Sequence, residues 1–276
     1  MLNNRSSYAV VTRLISILLI LVSCSNIEND KNKAIATDVD IYKKALLLIE
    51  QNDFKSAFNE FENLLLNYPF SNLALKSEIT SAYSLYEDNQ IQKAINKLNG
   101  FIEMNPSGEL TIYAHYLLGM CYYIQTSQKG RDASLSLKAL KYFQIIEAKY
   151  PNSKYTKDAK LKILYLKNRL AENELEVGKF YLKKNAQISA INRFKVILEK
   201  FQNTSVIPET LYRLSEALLI TGLKEEAQKS IAILNYNFPQ NEWSSLSKSL
   251  LVNNLDKNID KGFTQKVKNY FTTIFD

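Results

Sequence analysis

Apolar and polar positions along this chain repeat with a helical period and, on a longer scale, with the period of a hairpin. Five times an alanine is followed four residues later by a bulky apolar residue, and usually a proline stands twelve after the alanine. The registers are Ala57, Phe61, Pro69; Ala94, Leu98, Pro106; Ala139, Phe143, Pro151; Ala190, Phe194 with Gln202 in the proline place; and Ala227, Ile231, Pro239. Residues four apart share a helix face, so the small one suits a helix crossing and the large one fills the space between helices. The proline then blocks continuation of that helix. In units one, two and five a matching first helix precedes it: Ile41, Ala45, Leu48; Ile79, Ala82, Tyr83, Tyr86; and Leu211, Leu214, Ala217, Leu218. Turn signals divide the halves at Gln51-Asn52-Asp53, Glu87-Asp88-Asn89 and Thr221-Gly222. Any amphipathic helix supplies one such match; five in register predict five helical hairpins.

A hairpin of this size cannot bury its apolar face alone, so neighbours must stack into a continuous core. The pattern is similar to that of tetratricopeptide (TPR) arrays. It predicts an all-α fold, a TPR-like superhelical solenoid of about five helical hairpins with a C-terminal capping helix. The repeat alanines lie 37, 45, 51 and 37 residues apart, longer than the roughly 34 of an isolated TPR unit. Unit three carries a polar insertion from Gln125 to Ser134, and Tyr155 to Lys184 reads as one long helix or as a helix broken near Asn173. After Pro239 a final stripe, Phe263, Val267, Tyr270, Phe271 and Ile274, has helical spacing. It either folds back to cap unit five or docks on another subunit or on a membrane surface.

The first residues change the compartment. Arg5 and Arg13 precede an apolar run from Leu14 to Val22, which ends in Leu21-Val22-Ser23-Cys24. This is a secretory signal, too short for a comfortable membrane span of about 20 residues. Its end resembles the bacterial lipoprotein box, which implies cleavage before Cys24 and covalent diacylglycerol and N-acyl lipid on that cysteine. Ser25 after it implies sorting to the outer membrane, facing the periplasm. Several acyl chains, at about 0.8 kcal/mol per buried methylene, hold a soluble domain firmly at a membrane. Cys121, the other cysteine, sits in an apolar helical stretch and reads as a buried thiol.

Removing residues 1–23 takes the formal charge from +7 to +5, because Arg5 and Arg13 leave with no acidic residue. Basic residues cluster at Lys154, Lys157, Lys160, Lys162, Lys167 and Arg169. They form a solvated face, or one that attracts an acidic partner or anionic lipid. Nucleic acid is disfavoured by the export signal.

Little here supports catalysis. The one histidine, His115, excludes two-histidine zinc sites. The seven glycines occur singly, so neither a dinucleotide fingerprint nor a P-loop exists, and no cofactor other than the lipid is expected. Glu172, Glu174 and Glu176, two apart, point to different sides of a helix.

Several stretches go beyond a generic TPR. Asn67-Tyr68-Pro69-Phe70, Tyr83 to Ile95, Asn105-Pro106, Tyr150-Pro151-Asn152-Ser153-Lys154-Tyr155-Thr156-Lys157-Asp158-Ala159, Leu166 to Ala171 and Ala190-Ile191-Asn192-Arg193 resemble the BamD family. The resemblance spans roughly Ile41 to Phe238. It implies a non-catalytic lipoprotein subunit of the outer-membrane β-barrel assembly machine. Expected partners are the periplasmic domains of BamA, other assembly-machine lipoproteins and unfolded outer-membrane proteins.

The implied organisation is a signal peptide at 1–23, a lipidated linker at 24–37, units one and two at 38–106 for substrate recognition, units three to five at 107–239 for BamA, and capping helices at 240–276. Tyr68 and Phe70 match the family's substrate-recognition motif, and Tyr83 and Tyr86 extend that surface or else fill the stack between hairpins. Arg193 matches an arginine near the BamA contact, or is an exposed helix residue. Another periplasmic TPR lipoprotein, a scaffold in cell-envelope organisation or division, is the alternative; a peptidoglycan-processing enzyme is a third reading, without a marked catalytic carboxylate.

Overall fold

The computed structural model describes residues 36–126 and 133–254, and these contain eleven α-helices and no strand. The expected lipidation site Cys24, the centre of the unit-three insertion and the stripe from Phe263 to Ile274 lie outside the described residues. The helices are α1 (Asp38–Glu50), α2 (Phe54–Asn67), α3 (Ala74–Glu87), α4 (Ile91–Met104), α5 (Glu109–Thr126), α6 (Ala133–Lys149), α7 (Thr156–Lys183), α8 (Gln187–Lys200), α9 (Ile207–Ile220), α10 (Lys224–Asn237) and α11 (Glu242–Asn254). Each packs on the helix before and after it. The pairs α1/α2 through α9/α10 are the five hairpins, and α11 lies on α9 and α10 where the first helix of a sixth unit would stand.

Every repeat alanine and its partner four residues on is buried, with no side chain more than 1% exposed. The position facing this large residue lies on the first helix of each hairpin: Ala45, Ala82, Gly119, Gly178 and Ser215. All five are small and buried. The reason is visible at the two glycines. A methyl group on Gly119 would come 2.8 Å from Phe143 Cε1, and one on Gly178 would come 2.3 Å from Phe194 Cε1. Glycine there lets the phenyl ring lie directly on helix backbone.

The turns are equally regular. Seven residues past the small position, Asn52, Asn89, Asn185 and Gly222 take φ of 59°, 58°, 55° and 78°. Asparagine and glycine tolerate this left-handed region best, and it closes the hairpin in two residues. At the other end, Tyr68, Asn105, Phe201 and Phe238 stop the second helices with φ between −129° and −132°. A following proline favours that extended geometry. Phe201 adopts it before Gln202, so tertiary packing holds the turn where the proline is missing.

Helix α7 is continuous over 28 residues, twice the 14 of α3, α8 or α9. At about 1.5 Å per residue it is about 42 Å long. Its first half packs on α6 and its second half pairs with α8 through Gly178. The buried residues Ala159, Ile163, Leu166 and Leu170, then Ala171, Leu175 and Gly178, run down one side without a break at Asn173. No helix of the described residues is long and apolar enough to cross a membrane.

The apolar core is continuous within three clusters, of which the second joins Ile79, Ala82, Leu98 and Phe101 to Ala114, Leu118 and Cys121 across units two and three. Helices two apart along the chain touch at three places, α3 with α5, α7 with α9 and α9 with α11, and at each both are first helices. In a curved stack the closer row is the inner one, so the first helices line the inside of the curve.

Candidate functional site

The loop between α2 and α3 holds Tyr68 and Phe70. Tyr68 ends α2, with its N–H donating to the Leu64 carbonyl at 2.7 Å. Its hydroxyl donates to the Ala36 carbonyl at 2.8 Å, and Ser71 bonds the Asp38 carboxylate beside it, tying the loop to the start of α1. Thr37 and Asp40 cap that helix reciprocally, each side chain accepting from the other's N–H at 3.2 Å. Phe70 is 99% exposed. So Tyr68 is half-buried and engaged by its own chain, while Phe70 is fully presented to solvent.

Tyr83 and Tyr86 lie at the other end of the hairpin, about 14 Å further along α3 by helical rise from its first residue. Both are half-buried. Tyr83 meets Phe54 edge-on at 6.3 Å, and burial followed by the nearby Glu87 charge raises the pKa of both phenols. The four aromatics are therefore two separate pairs, one on a loop and one in the inner row of helices.

The structure adds residues to the second pair. Tyr155, just before α7, stacks on Tyr113 at 5.4 Å and on Tyr116 at 4.9 Å. Tyr116 donates to Asp158 at 2.6 Å, and Lys162 donates to the same carboxylate. Burial opposes ionisation of Asp158, yet these hydrogen bonds outweigh it and hold the group below its ordinary value. Burial pushes the Tyr113 and Tyr116 phenols well above theirs. Tyr123 continues the row, edge-on to Tyr165 at 5.7 Å. Beside it an open cleft of about 670 Å³ lies between the start of α5 and the α6–α7 turn, lined by Glu109, Tyr113, Lys149, Tyr150, Lys154 and Tyr155.

The signal for Tyr116 was in the sequence: three residues before the small position stand Tyr42, Tyr116 and Tyr212. They meet Phe61 at 5.7 Å, Phe143 at 6.0 Å and Trp243 at 5.1 Å respectively. It went unread because the small position itself, with glycine in two units, was not recognised.

Arg193 projects from α8 and donates to Glu174 of α7 at 3.0 Å. Its side chain is 43% exposed, so the guanidinium is both paired internally and reachable from outside. The Glu174 hydrogen bond and charge raise its pKa.

Two groups that reactivity would need are quiet. Burial pushes the Cys121 thiol up to about 12, which leaves it a neutral packing residue. His115 has its pKa lowered by burial and by Lys149, and its Nδ1 is buried without a hydrogen-bond partner. Among the described residues no cluster of three or more His, Cys, Asp or Glu could hold a metal ion.

Comparison with known proteins bears on this arrangement. A family model described as an outer membrane lipoprotein, YfiO, matches residues 35–234. The chain is 34% identical over 247 residues to the outer membrane protein assembly factor BamD of Rickettsia prowazekii, covering 88% of this chain and 98% of that one. It is 35% identical over 203 residues to the protein of the same name from Caulobacter vibrioides, covering 74% and 67%. The Neisseria meningitidis serogroup A protein of that name is 28% identical over 224 residues, covering 76% and 84%.

Proposed function

The chain belongs to the YfiO family of outer membrane lipoproteins, and on that premise we propose that it is a subunit of the outer-membrane β-barrel assembly machine, lipid-anchored through Cys24 and facing the periplasm. It acts there as a non-catalytic scaffold that binds BamA and unfolded outer-membrane proteins. The observation that carries the reading is the match to an outer membrane protein assembly factor over nearly that protein's whole length.

The geometry supports the finer assignment. A curved stack of hairpins offers an extended concave surface, which suits a polypeptide ligand better than a small molecule. Phe70 is the fully exposed aromatic of the loop that the resemblance assigns to substrate recognition, and Tyr68 anchors that loop. Tyr83 and Tyr86 open on the inner row, where an aromatic-rich extended segment would lie. Arg193 keeps a guanidinium half in solvent, where it can exchange Glu174 for a carboxylate of BamA with bidentate geometry.

Purification of the lipidated chain from its own membranes in mild detergent, with mass spectrometry of what accompanies it, tests the proposal. Stoichiometric BamA is expected. Clean recovery without BamA would favour a periplasmic scaffold of another envelope process.

A further inference from the structure

Residues 154–169 carry six basic side chains and one acidic, a formal +5. That equals the formal charge of the entire chain after residue 23, so the remainder is neutral on balance. The stretch is the turn into α7 and the first half of that helix of double length, which belongs to the inner row.

Its single acid is already engaged, because Asp158 accepts from Tyr116 and Lys162. Among the described residues, Lys157, Lys160 and Lys167 have no ion-pair partner. On the same exposed side, Leu161 is 63% and Leu164 48% exposed. Lys157, Lys160, Leu161 and Leu164 fall at i, i+3, i+4 and i+7, one strip along the helix. Tyr165 borders it, with the Arg169 guanidinium over its ring at 5.9 Å.

We propose that this strip is a docking site for an acidic segment of a partner polypeptide that also carries apolar side chains. Acidic residues of the segment pair with Lys157, Lys160 and Lys167, while its apolar side chains cover Leu161 and Leu164. An anionic lipid surface shares the charge but not the shape: a bilayer is flat, whereas the strip lies inside the curve of the stack, where a strand or helix of chain fits. This surface is separate from Phe70 and Arg193, and it does not require the assembly-machine reading.

The test is fluorescence anisotropy on the full chain in mild detergent, using a fluorescein-labelled peptide of repeating Glu-Glu-Leu and its Gln-Gln-Leu counterpart. The glutamate peptide is expected to bind about tenfold more tightly than the glutamine peptide, the equivalent of two or more exposed ion pairs. Lys157→Glu with Lys160→Glu removes that advantage, while Lys43→Glu with Lys55→Glu, the same charge change at exposed positions on α1 and α2, preserves it. Leu161→Ser with Leu164→Ser weakens binding of both peptides. All these positions are exposed, and an unchanged helical circular-dichroism spectrum confirms that each variant is folded. Equal affinity for the two peptides, or equal losses from the two lysine pairs, overturns the proposal. So does a Lys157/Lys160 pair whose replacement abolishes binding to phosphatidylglycerol vesicles and leaves peptide binding unchanged, which would make the surface a membrane contact.

Discussion

Glycine to alanine is expected to have opposite signs at two positions of this chain. Gly100 is helical and exposed in α4, and an added methyl group would meet nothing within 4 Å. Alanine there gains helix propensity, about 0.5–1 kcal/mol. Gly178 gains the same propensity, but its methyl would lie 2.3 Å from Cε1 and 2.9 Å from Cδ1 and Cζ of Phe194. That ring is fully buried and cannot swing away. Overpacking of this kind costs about 1–3 kcal/mol, and the shortness of the contact puts it at the upper end. The net is a loss of about 1–2 kcal/mol after the propensity gain. For a domain of this size 1 kcal/mol moves Tm by about 2–4 °C, so the two variants should melt on opposite sides of the wild type. Gly119→Ala, with its closest contact at 2.8 Å, should fall between them. Thermal unfolding followed at 222 nm reads all three. Adding Phe194→Leu to Gly178→Ala should cost less than the sum of the single changes, because the methyl then occupies space the ring has left. A Gly178→Ala protein as stable as Gly100→Ala would refute the claim that glycine is there for the ring.

Four further outcomes follow from the site. His115, the sole histidine, has a lowered folded pKa, so its neutral form contributes stability that is present above the unfolded value of 6.5 and is lost as pH falls through the folded one. Replacing it with phenylalanine should flatten the dependence of Tm on pH between 7 and 5.5, measured by the same melts. Tyr68→Phe removes one hydrogen bond to Ala36 and should cost about 0.5–1.5 kcal/mol, whereas Phe70→Ala should leave Tm unchanged and weaken a barrel-signal peptide in a binding titration. Arg193→Glu sets two carboxylates together across α7 and α8 and should release BamA in the pulldown while the array stays folded by circular dichroism.

Much of the fold was legible because the repeat is written twice, in the alanine register and in the turns. The residues that bury, Ala57 to Ile231, obey a spacing that solvent exclusion enforces in every unit. Helix α7 was half legible: its apolar spacing runs on through Asn173, but a half-buried asparagine in a helix looks the same in sequence as a break. That the second half of α7 serves as the first helix of unit four was hidden because its small position is glycine, Gly178, which reads as an interruption until Phe194 is placed against it. The inner tyrosine row escaped for another reason. Tyr155 lies 42 residues after Tyr113 and 39 after Tyr116, and only tertiary packing stacks them. Phe70 was legible by motif, but its full exposure and the tether of Tyr68 were not.

The double length of α7 has a consequence for how the array comes apart. Stacked repeats touch only their neighbours, so such arrays tend to fray from their ends and to split at their weakest interface. Here the interface between units three and four is crossed by one unbroken helix whose first half lies on α6 and whose second half lies on α8. Neither side can open without stripping a partner from the same cylinder of backbone hydrogen bonds. The centre of α7 therefore belongs to the last structure to open, and its amides, about Leu166 to Leu175, should exchange with deuterium more slowly than those of α1 or α11. What would otherwise be a chain of separately melting links is clamped at its middle into one cooperative body.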